Sequence, residues 1–266
     1  MKNKIKQIIF ILVFIFLLFI LILLSQLVFT SLLNKLFFEN YIDNISKNNL
    51  SNTFTIDKIV FFSSCSSDTT INSNNTTSIN NLMQFTDIAI FINNSNDNYT
   101  LENTLKSVSI KNISFNTMPN LGTPNLYFKG LTDFAKYTVT EDNLLDSELD
   151  FSVSSEDEID YSKPILFNNC ANPITLSYVN SNIKNGYTIN NTDNSIVYDG
   201  SLLQKCSVLL DDLNCSLSFT IYIENNLEEH FKCPVYLNIP LNNDSNSIYD
   251  GSYTYIYNPN YEFYKY

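Results

Sequence analysis

One feature constrains this chain more than any other: an apolar run from Ile8 to Phe29 that only two polar residues interrupt. A helix needs roughly 20 apolar residues to cross the hydrocarbon core of a bilayer, so residues 8–30 are predicted to form a transmembrane helix. A cleavable signal peptide would have a shorter apolar region that ends at small residues. No alanine precedes Ala89, and the sequence therefore favours an uncleaved signal anchor.

Lys2, Lys4 and Lys6 precede this run, and few basic residues follow it closely. Positive charge concentrates on the cytoplasmic side of membrane spans. Residues 1–7 are therefore predicted to form a cytoplasmic tip, and everything after the single span is predicted to be extracellular. Apolar residues recur at helical spacing just beyond the span, which predicts a helical stalk over residues 31–52.

The chain is strongly acidic, with 27 acidic residues against 15 basic ones and a net charge of −12. A field of this sign repels nucleic acid, so no nucleic-acid partner is expected. It would attract divalent cations or a basic protein, and it also keeps an extracellular domain in solution. Every basic residue is a lysine, so the chain lacks the bidentate clamp that arginine provides for phosphate or carboxylate.

From Phe85 onward, apolar residues alternate with a period of two, which is typical of strands. Two rows are predicted to point into the domain interior: Ile88, Ile90 and Ile92, and Leu217, Phe219, Ile221 and Ile223. Many short strands separated by turn residues indicate an all-β fold. We expect a β-sandwich, jelly-roll or Ig-like, over residues 53–258, followed by a C-terminal tail at 259–266.

Two stretches break the strand pattern. Residues 63–81 are almost entirely Ser, Thr, Asn and Asp, so they are predicted to be a mobile loop with too little apolar surface to bury. The acidic stretch 141–160 could instead separate two smaller sandwiches, because residues 87–94 resemble residues 219–226. Strands of a chain with biased composition also resemble one another by chance, and one sandwich is the preferred prediction.

Two Asp-Gly pairs, Asp199-Gly200 and Asp250-Gly251, stand between apolar segments. This dipeptide is a strong short-range signal for a hairpin turn. A further strand is predicted between them, over residues 206–210.

The chain contains five cysteines: Cys65, Cys170, Cys206, Cys215 and Cys233. An exported chain can form disulfides, but an odd number leaves at least one thiol unpaired. No two have C-x-x-C spacing, so a zinc or redox motif is not predicted. Two possibilities stay open for the last four: one disulfide among them, or small buried thiols.

His230 is the only histidine, and it stands beside Glu228 and Glu229 in a predicted hairpin tip. Such a cluster can bind a metal, but a polar tip needs no ligand, and no metal site is predicted. No G-x-S-x-G elbow, P-loop or H-E-x-x-H motif occurs. The sequence therefore predicts no catalytic residues. A carboxylate-dependent envelope hydrolase stays open as an alternative, because acidic residues are plentiful.

The densest group of carboxylates comprises Glu156, Asp157, Glu158 and Asp160. Hard oxygen ligands suit Ca²⁺, so calcium is the one cofactor that this stretch suggests. The spacing differs from that of an EF-hand loop. A solvated loop is therefore the preferred prediction, and no cofactor is expected.

Tyrosines crowd the C-terminus, and Tyr253, Tyr255 and Tyr257 would share one face of a strand. An aromatic row of this kind can stack on sugar rings or form a protein interface. These three residues are therefore candidate contacts for a glycan or a protein. A terminal strand packed on its own sheet would give the same pattern, because tyrosine has a high β-propensity.

Four phrases, TDIAIFINN (86–94), GTPNLYF (122–128), NPITLSYVN (172–180) and CSLSFTIYIENN (215–226), resemble a group of uncharacterised membrane-anchored proteins from low-GC Gram-positive bacteria. The resemblance implies a β-rich cell-surface protein and assigns no functional residues. We expect a non-enzymatic surface protein with an interaction or structural role. Its predicted partners are the lipid bilayer, through the N-terminal helix, and an envelope protein or glycan. A carbohydrate-binding module that uses the C-terminal tyrosines is the alternative.

Overall fold

The structure is a computed structural model of the 266-residue chain. It describes Leu17, Leu18 and Ile20, which are helical, and residues 50–72, 76–94, 98–146, 148–153, 166, 173–190 and 196–266. Most of the predicted anchor and stalk lies outside these residues. Within the described ranges, no helix combines the length and the apolar character that crossing a membrane requires. Residues Ser51–Tyr266 form a compact unit of their own.

The fold is built on two long neighbouring strands, β1 (Leu50–Ile71) and β2 (Thr76–Asn94). They pair antiparallel along most of their length, and the register shifts at two points, after Ile56 and after Ser66. Bulges of this kind bend a strand and increase its twist. The two strands can therefore curve around a core instead of forming a flat ribbon.

The prediction of a mobile loop at 63–81 is wrong. The residues up to Ile71 continue β1, and those from Thr76 onward begin β2. Cross-strand polar pairs stabilise this part: the hydroxyl oxygens of Ser63 and Thr86 are 2.7 Å apart. Threonine has a high β-propensity, and paired hydroxyls stabilise a ladder, so a polar composition did not prevent strand formation.

Further strands complete a large antiparallel sheet: β3 (Leu105–Thr117), β4 (Thr123–Phe128), β5 (Leu149–Ser152), β6 (Ile174–Lys184), β7 (Tyr187–Asn190), β8 (Ser216–Asn225), β9 (His230–Asn238), β10 (Tyr253–Tyr257) and β11 (Glu262–Lys265). The order across the sheet is β4-β6-β2-β1-β11-β9-β8-β3-β5, while β10 pairs with β1 and β7 with β2. The described connections contain one short α-helix and several 3-10 turns: Ser201–Lys205, and Leu131–Asp133, Glu141–Asn143, Leu210–Leu213 and Ile248–Asp250.

The sheet curls until its outer strands, β4 and β5, are nearly joined. Leu144 pairs with Tyr127 of β4, and the N–H of Leu145 donates to the carbonyl of Leu126 at 2.9 Å. A few residues later the same segment becomes β5, which pairs with β3 at the other edge. One stretch of chain therefore contacts both edges, and the sheet almost closes around its core.

The core fills the inside of this curled sheet. Both predicted rows line it, and all seven of their side chains are at most 2 % exposed. The inward direction of the rows and the all-β class are thus confirmed. The strands belong to one hydrogen-bonded sheet, whereas a sandwich has two separate ones. The difference arises because β1 and β2, with 22 and 19 residues, are long enough to continue around the core.

The two Asp-Gly pairs do not form the predicted hairpins. Gly200 and Gly251 instead lie together, joined by a hydrogen bond from the N–H of Gly200 to the carbonyl of Gly251. A Cβ atom on Gly200 would lie 2.1 Å from the carbonyl oxygen of Ile248, so this close approach requires glycine. Asp199 accepts a bond from the N–H of Ser201 at 2.9 Å, a local turn contact immediately before the short helix Ser201–Lys205. The strand predicted at 206–210 is absent from the described chain, because these residues follow the helix Ser201–Lys205 and run into the 3-10 turn Leu210–Leu213.

Four cysteines, Cys65, Cys206, Cys215 and Cys233, are buried free thiols, whereas Cys170 lies outside the described residues. No disulfide therefore joins the three described candidates to one another. Burial raises the pKa of Cys206 to about 11 and that of Cys233 to about 12. Thiolate, the reactive form of cysteine, is consequently scarce at neutral pH.

We expect the four described cysteines to resist alkylation by iodoacetamide in the folded protein at mildly alkaline pH, because each thiol is buried and protonated. Unfolding in urea should make all four react. Peptide mapping after a short pulse measures the labelling at each position. Rapid labelling of Cys206 or Cys233 in the folded state would contradict the burial.

Truncation of Phe219 tests the core. We expect Phe219→Ala to lower the free energy of unfolding of residues 51–266 by about 3–5 kcal/mol, because it removes a buried ring and leaves a cavity. Thr220→Ala, on the outward face of the same strand, is the matched control and should change it by less than about 0.5 kcal/mol. Urea unfolding at two protein concentrations measures both. No loss of stability in a dilute monomer would show that Phe219 is outside the core.

Candidate functional site

Part of one edge of β9 has no neighbouring strand, because β11 pairs with only a short stretch of it, and this leaves a gap in the sheet. β11 pairs with β9 through Tyr264 and Lys265, which lie opposite Lys232 and Phe231. Beyond these residues, the described edge of β9 faces β10 across a cleft. Pro234 lies on this part of β9, and proline, which has no N–H to donate, suits an unpaired edge.

Tyr261 completes the edge of β9 where no strand does so. Its hydroxyl accepts a hydrogen bond from the N–H of Tyr236 at 3.2 Å and donates one to the carbonyl of the same residue. The side chain thereby satisfies the backbone donor and acceptor that a neighbouring strand would otherwise bond. The gap can therefore stay open without unpaired backbone groups at Tyr236.

The cleft has a volume of about 310 Å³, near the lower end of the range of roughly 300–1,000 Å³ for small-ligand sites. Its apolar wall includes Phe61 and Leu237. Its polar lining is made of tyrosines and asparagines: Tyr236, Tyr253, Tyr255, Tyr257, Asn238, Asn242 and Asn243. The structure thus brings the three tyrosines singled out from the sequence together with a fourth tyrosine and three amides that the sequence did not connect to them.

The tyrosine row of β10 faces the cleft from one side. Tyr253 and Tyr255 lie opposite Ser63 and Phe61 of β1, so they share the inner face, and their rings stack at 6.4 Å with an angle of 8°. Exposure rises along the row, from 1 % at Tyr253 to 36 % at Tyr257. Because stacked rings cover each other's faces, the two inner tyrosines can offer a ligand their hydroxyl edges, while Tyr257 can offer a ring surface.

The hydroxyl of Tyr253 is buried and makes no hydrogen bond of ordinary length and angle among the described residues, although the amide of Asn243 lies near enough to act on it. Burial raises the pKa of Tyr253; the neighbouring Tyr255 raises it further and the amide of Asn243 lowers it. The hydroxyl is therefore protonated and able to donate at any physiological pH. Leaving such a group unbonded costs about 1–3 kcal/mol, which a hydrogen-bonding molecule in the cleft would offset.

The rim of the cleft is a well-ordered turn. The side-chain oxygen of Asn243 accepts bonds from the N–H groups of Ser245 and Asn246 at 2.8 and 3.0 Å, and Asn242 pairs with Ser247. These bonds fix the amide of Asn243 in one orientation at the rim. The polar lining is thus held in place before any ligand binds.

The cleft lining contains no carboxylate, imidazole or amine among its described side chains. Its tyrosine hydroxyls and asparagine amides donate and accept hydrogen bonds, but they do not supply the pair of carboxyl groups that glycoside hydrolysis uses. The arrangement is therefore equipped to bind a neutral polar molecule by hydrogen bonds and ring contacts.

His230 lies at the start of β9, directly after the β8–β9 turn, and is exposed. Its ring packs against Tyr266 at 5.9 Å. The nearby carboxylates pair with lysines: Lys106 Nζ lies 2.7 Å from Glu224 and 3.4 Å from Glu228, and Lys265 bonds Glu229. Within the part of the chain that the structure describes, no three His, Cys, Asp or Glu side chains are grouped as a metal site would require. The predicted calcium candidates, Glu156, Asp157, Glu158 and Asp160, lie outside it.

Sequence reasoning missed a buried ion pair, Asp87 with Lys129. Lys129 Nζ lies 2.8 and 2.7 Å from the two carboxylate oxygens of Asp87, and both side chains are at most 1 % exposed. Asp87 lies on the outer face of β2, between the outward-facing Phe85 and Ala89 of an apolar strand. A lone carboxylate within such a strand is the signal that could have indicated it, since buried charges are paired.

The chain that follows β4 covers this pair. An outer cluster forms around Phe85, Tyr127 and Val179, against which Val139 and Leu144 pack. Residues 129–145 therefore form a cover over the outer face of β2 and β6. The cover excludes water from Asp87 and Lys129.

Comparison of the chain with protein-family models, with curated proteins and with solved structures gives no match. The resemblance to membrane-anchored proteins of Gram-positive bacteria stays a prediction. The chemistry of the cleft is inferred from its own residues.

Removal of the Tyr253 hydroxyl and removal of the Tyr261 hydroxyl are predicted to have opposite effects on the free energy of unfolding. We expect Tyr253→Phe to leave the free energy of unfolding unchanged or to raise it by up to about 1 kcal/mol, because it removes a buried group without a partner. Tyr261→Phe should lower it by about 1–2 kcal/mol, because it leaves the N–H and carbonyl of Tyr236 without their partner. Urea unfolding of the two variants measures the difference. Equal losses would show that the Tyr253 hydroxyl is bonded within the protein.

Proposed function

We propose that the protein is a non-enzymatic binding protein of the cell surface and that the cleft between β9 and β10 is its ligand site. The observation that carries this proposal is the hydroxyl of Tyr253, which is buried in the wall of the cleft without a partner. Nearly all buried polar groups in proteins are hydrogen-bonded. A ligand in the cleft would satisfy this hydroxyl, and its place in the cleft lining distinguishes Tyr253 from other buried groups without a partner, such as Thr175 and Tyr178.

A carbohydrate is the ligand class that the lining supports best. Sugars have many hydroxyl groups and apolar ring faces, and the cleft matches them with amides of Asn238, Asn242 and Asn243 beside tyrosine hydroxyls. Tyr236 and Tyr257 are 52 % and 36 % exposed, so their rings are accessible for contact with a sugar face. The absence of charge from the described lining favours a neutral glycan over a charged one.

Binding is favoured over hydrolysis because the described side chains around the cleft include no carboxylate and no imidazole. Asp87, the buried carboxylate of the sheet, is bonded to Lys129 under the cover, on the opposite face of the sheet from the tyrosine row. A hydrolase that uses two carboxylates would require groups that this cleft does not bring together.

The location is proposed from the N-terminal sequence. The apolar run at 8–30, with Lys2, Lys4 and Lys6 before it, supports a single-pass anchor with the β domain outside the cell. The domain begins at Ser51, a short distance along the chain from that run.

Glycan binding is tested on residues 51–266, which form a compact unit. We expect the unit to bind a subset of neutral oligosaccharides from bacterial envelopes on a glycan array, with an affinity that calorimetry then measures. If the cleft variants described below bound the same glycans as strongly as the unchanged protein, the cleft would not be the binding site. Capture of an envelope protein in place of any glycan would favour an interaction module.

Two variants test the site itself. We expect Tyr236→Ala and Tyr257→Ala each to weaken binding by about two- to tenfold, since an aromatic contact adds roughly 0.5–1.5 kcal/mol. Tyr99→Ala is the matched control, because Tyr99 is 65 % exposed and lies outside the cleft, and it should bind as the unchanged protein does. Melting curves for all three should coincide within a few degrees. Unchanged affinity in both cleft variants would rule out the cleft as the sugar site.

A further inference from the structure

Asp87 and Lys129 are in direct contact away from the cleft, and the proposed function does not use them. Lys129 Nζ lies 2.8 Å from Oδ1 and 2.7 Å from Oδ2 of Asp87. Two nearly equal separations place the amine equally close to both carboxyl oxygens, so the carbon that it faces is the carboxyl carbon between them. The side chains are 0 % and 1 % exposed, so little water competes for either group.

The surroundings of the pair are aromatic. Lys129 Nζ lies 5.4 Å from the centre of the Phe85 ring, and Tyr137 packs on the same ring at 5.7 Å. An apolar enclosure disfavours both charges. Lys129 Nζ also donates to the backbone carbonyl of Lys136. Burial lowers the pKa of Lys129 and raises that of Asp87, against the effect of the hydrogen bonds between them, which brings the pair nearer to a neutral amine and a neutral carboxyl group. These are the forms in which an amine attacks and a carboxyl group accepts attack.

Two further donors point at the carboxyl oxygens. The N–H of Ala135 bonds Oδ2 of Asp87 at 2.7 Å, and the hydroxyl of Ser177 bonds Oδ1 at 2.7 Å. Ala135 has a φ of 66°, a conformation that non-glycine residues rarely adopt. The chain thus holds a strained residue in the cover with its N–H directed at the carboxyl group, as strained positions at functional sites often do.

We propose that Lys129 and Asp87 join in an intramolecular isopeptide bond. The bond between Nζ and Cγ forms, and the bond between Cγ and Oδ1 breaks. Oδ1 leaves as water, with one proton from Nζ and one from the carboxyl group, so no oxidant or cofactor is needed. Oδ2 becomes the amide oxygen, and Nζ keeps one hydrogen.

The two donors have different roles in this step. The N–H of Ala135 cannot transfer its proton, so it stabilises the negative charge that develops on Oδ2. The hydroxyl of Ser177 can donate and accept, so it passes a proton to the departing Oδ1. The distances of 2.8 and 2.7 Å between Lys129 Nζ and the Asp87 oxygens are those of a hydrogen-bonded pair. The structure therefore shows the two groups before the covalent bond forms.

The bond ties the middle of β2 to the residue that follows β4, two points 42 positions apart in the chain. It therefore fixes the first residue of the cover to the sheet. A covalent link of this kind restricts the unfolded chain as a disulfide does, but reducing agents do not break it.

Mass spectrometry of a tryptic digest of the full chain tests the bond. Cleavage after lysine places Asp87 in fragment 59–106, and an acylated Lys129 is not cleaved, which leaves it inside fragment 112–136. We expect these two fragments as one cross-linked species, lighter than their sum by one water. Separate fragments, with cleavage after Lys129, would overturn the proposal.

Variants supply the controls. Lys129→Arg and Asp87→Ala should each abolish the cross-linked species, whereas Lys136→Arg should retain it, with fragment 112–136 unchanged in length and ending in arginine. Loss of water at an Asp-Gly pair gives the same mass change without joining fragments, so the digest separates the two events. A cross-linked species that persists in Lys129→Arg would overturn the proposal, and the digest of the unchanged protein decides it even where a variant does not fold.

Ser177→Ala tests the proton transfer. We expect the share of cross-linked protein at a fixed time after refolding to fall severalfold, while the final product is the same. Urea unfolding of the variant before the bond forms shows whether folding itself is altered. Formation at an unchanged rate would overturn the role of Ser177.

Discussion

The register between β1 and β2 is the constraint on which the rest of the sheet depends. A shift of one residue would turn every side chain of a strand to the opposite face. The present register puts Phe61 opposite Ile88 inside the core, and the same alignment leaves Asp87 on the outer face. The other strands take their positions from these two: β6 and β7 pair with β2, and β10 and β11 with β1. Phe61 also lies opposite Tyr255, so the pairing of β10 with this same part of β1 sets the direction of the tyrosine row.

The sequence predicted the features that depend on local periodicity. Alternation along each strand was enough to identify the inward rows and to place Tyr253, Tyr255 and Tyr257 on one face. Such patterns depend on a few neighbouring residues, and any sheet that buries one face displays them. The class of fold followed for the same reason, because no helical period competes with strand alternation after residue 85.

Long-range pairing decided what the sequence did not predict. The polar stretch 63–81 became strand because its two halves pair with each other across a short connection, which neither half shows alone. Lys129 pairs with Asp87 although 42 positions of the chain separate them. The cleft exists because β11 is short and because β10 pairs with β1 and not with β9. Closure by the segment near Leu144 likewise depends on both edges already being in place. These are properties of the assembled sheet, and local propensity carries little information about them.

The position of β1 has a mechanical consequence. β1 is the first strand after the N-terminal segment, and it is hydrogen-bonded on both edges, to β2 on one side and to β11 and β10 on the other. Tension that enters the domain from its N-terminal end therefore reaches the centre of the sheet before any other strand. When a molecule held in the cleft is pulled along the strand direction, the force passes from β10 to β1 across a ladder of five residue pairs. These hydrogen bonds are perpendicular to the strands, so they must be sheared together and cannot open one after another. A domain connected in this way can resist a pulling force better than one whose five residue pairs between β10 and β1 could open one after another.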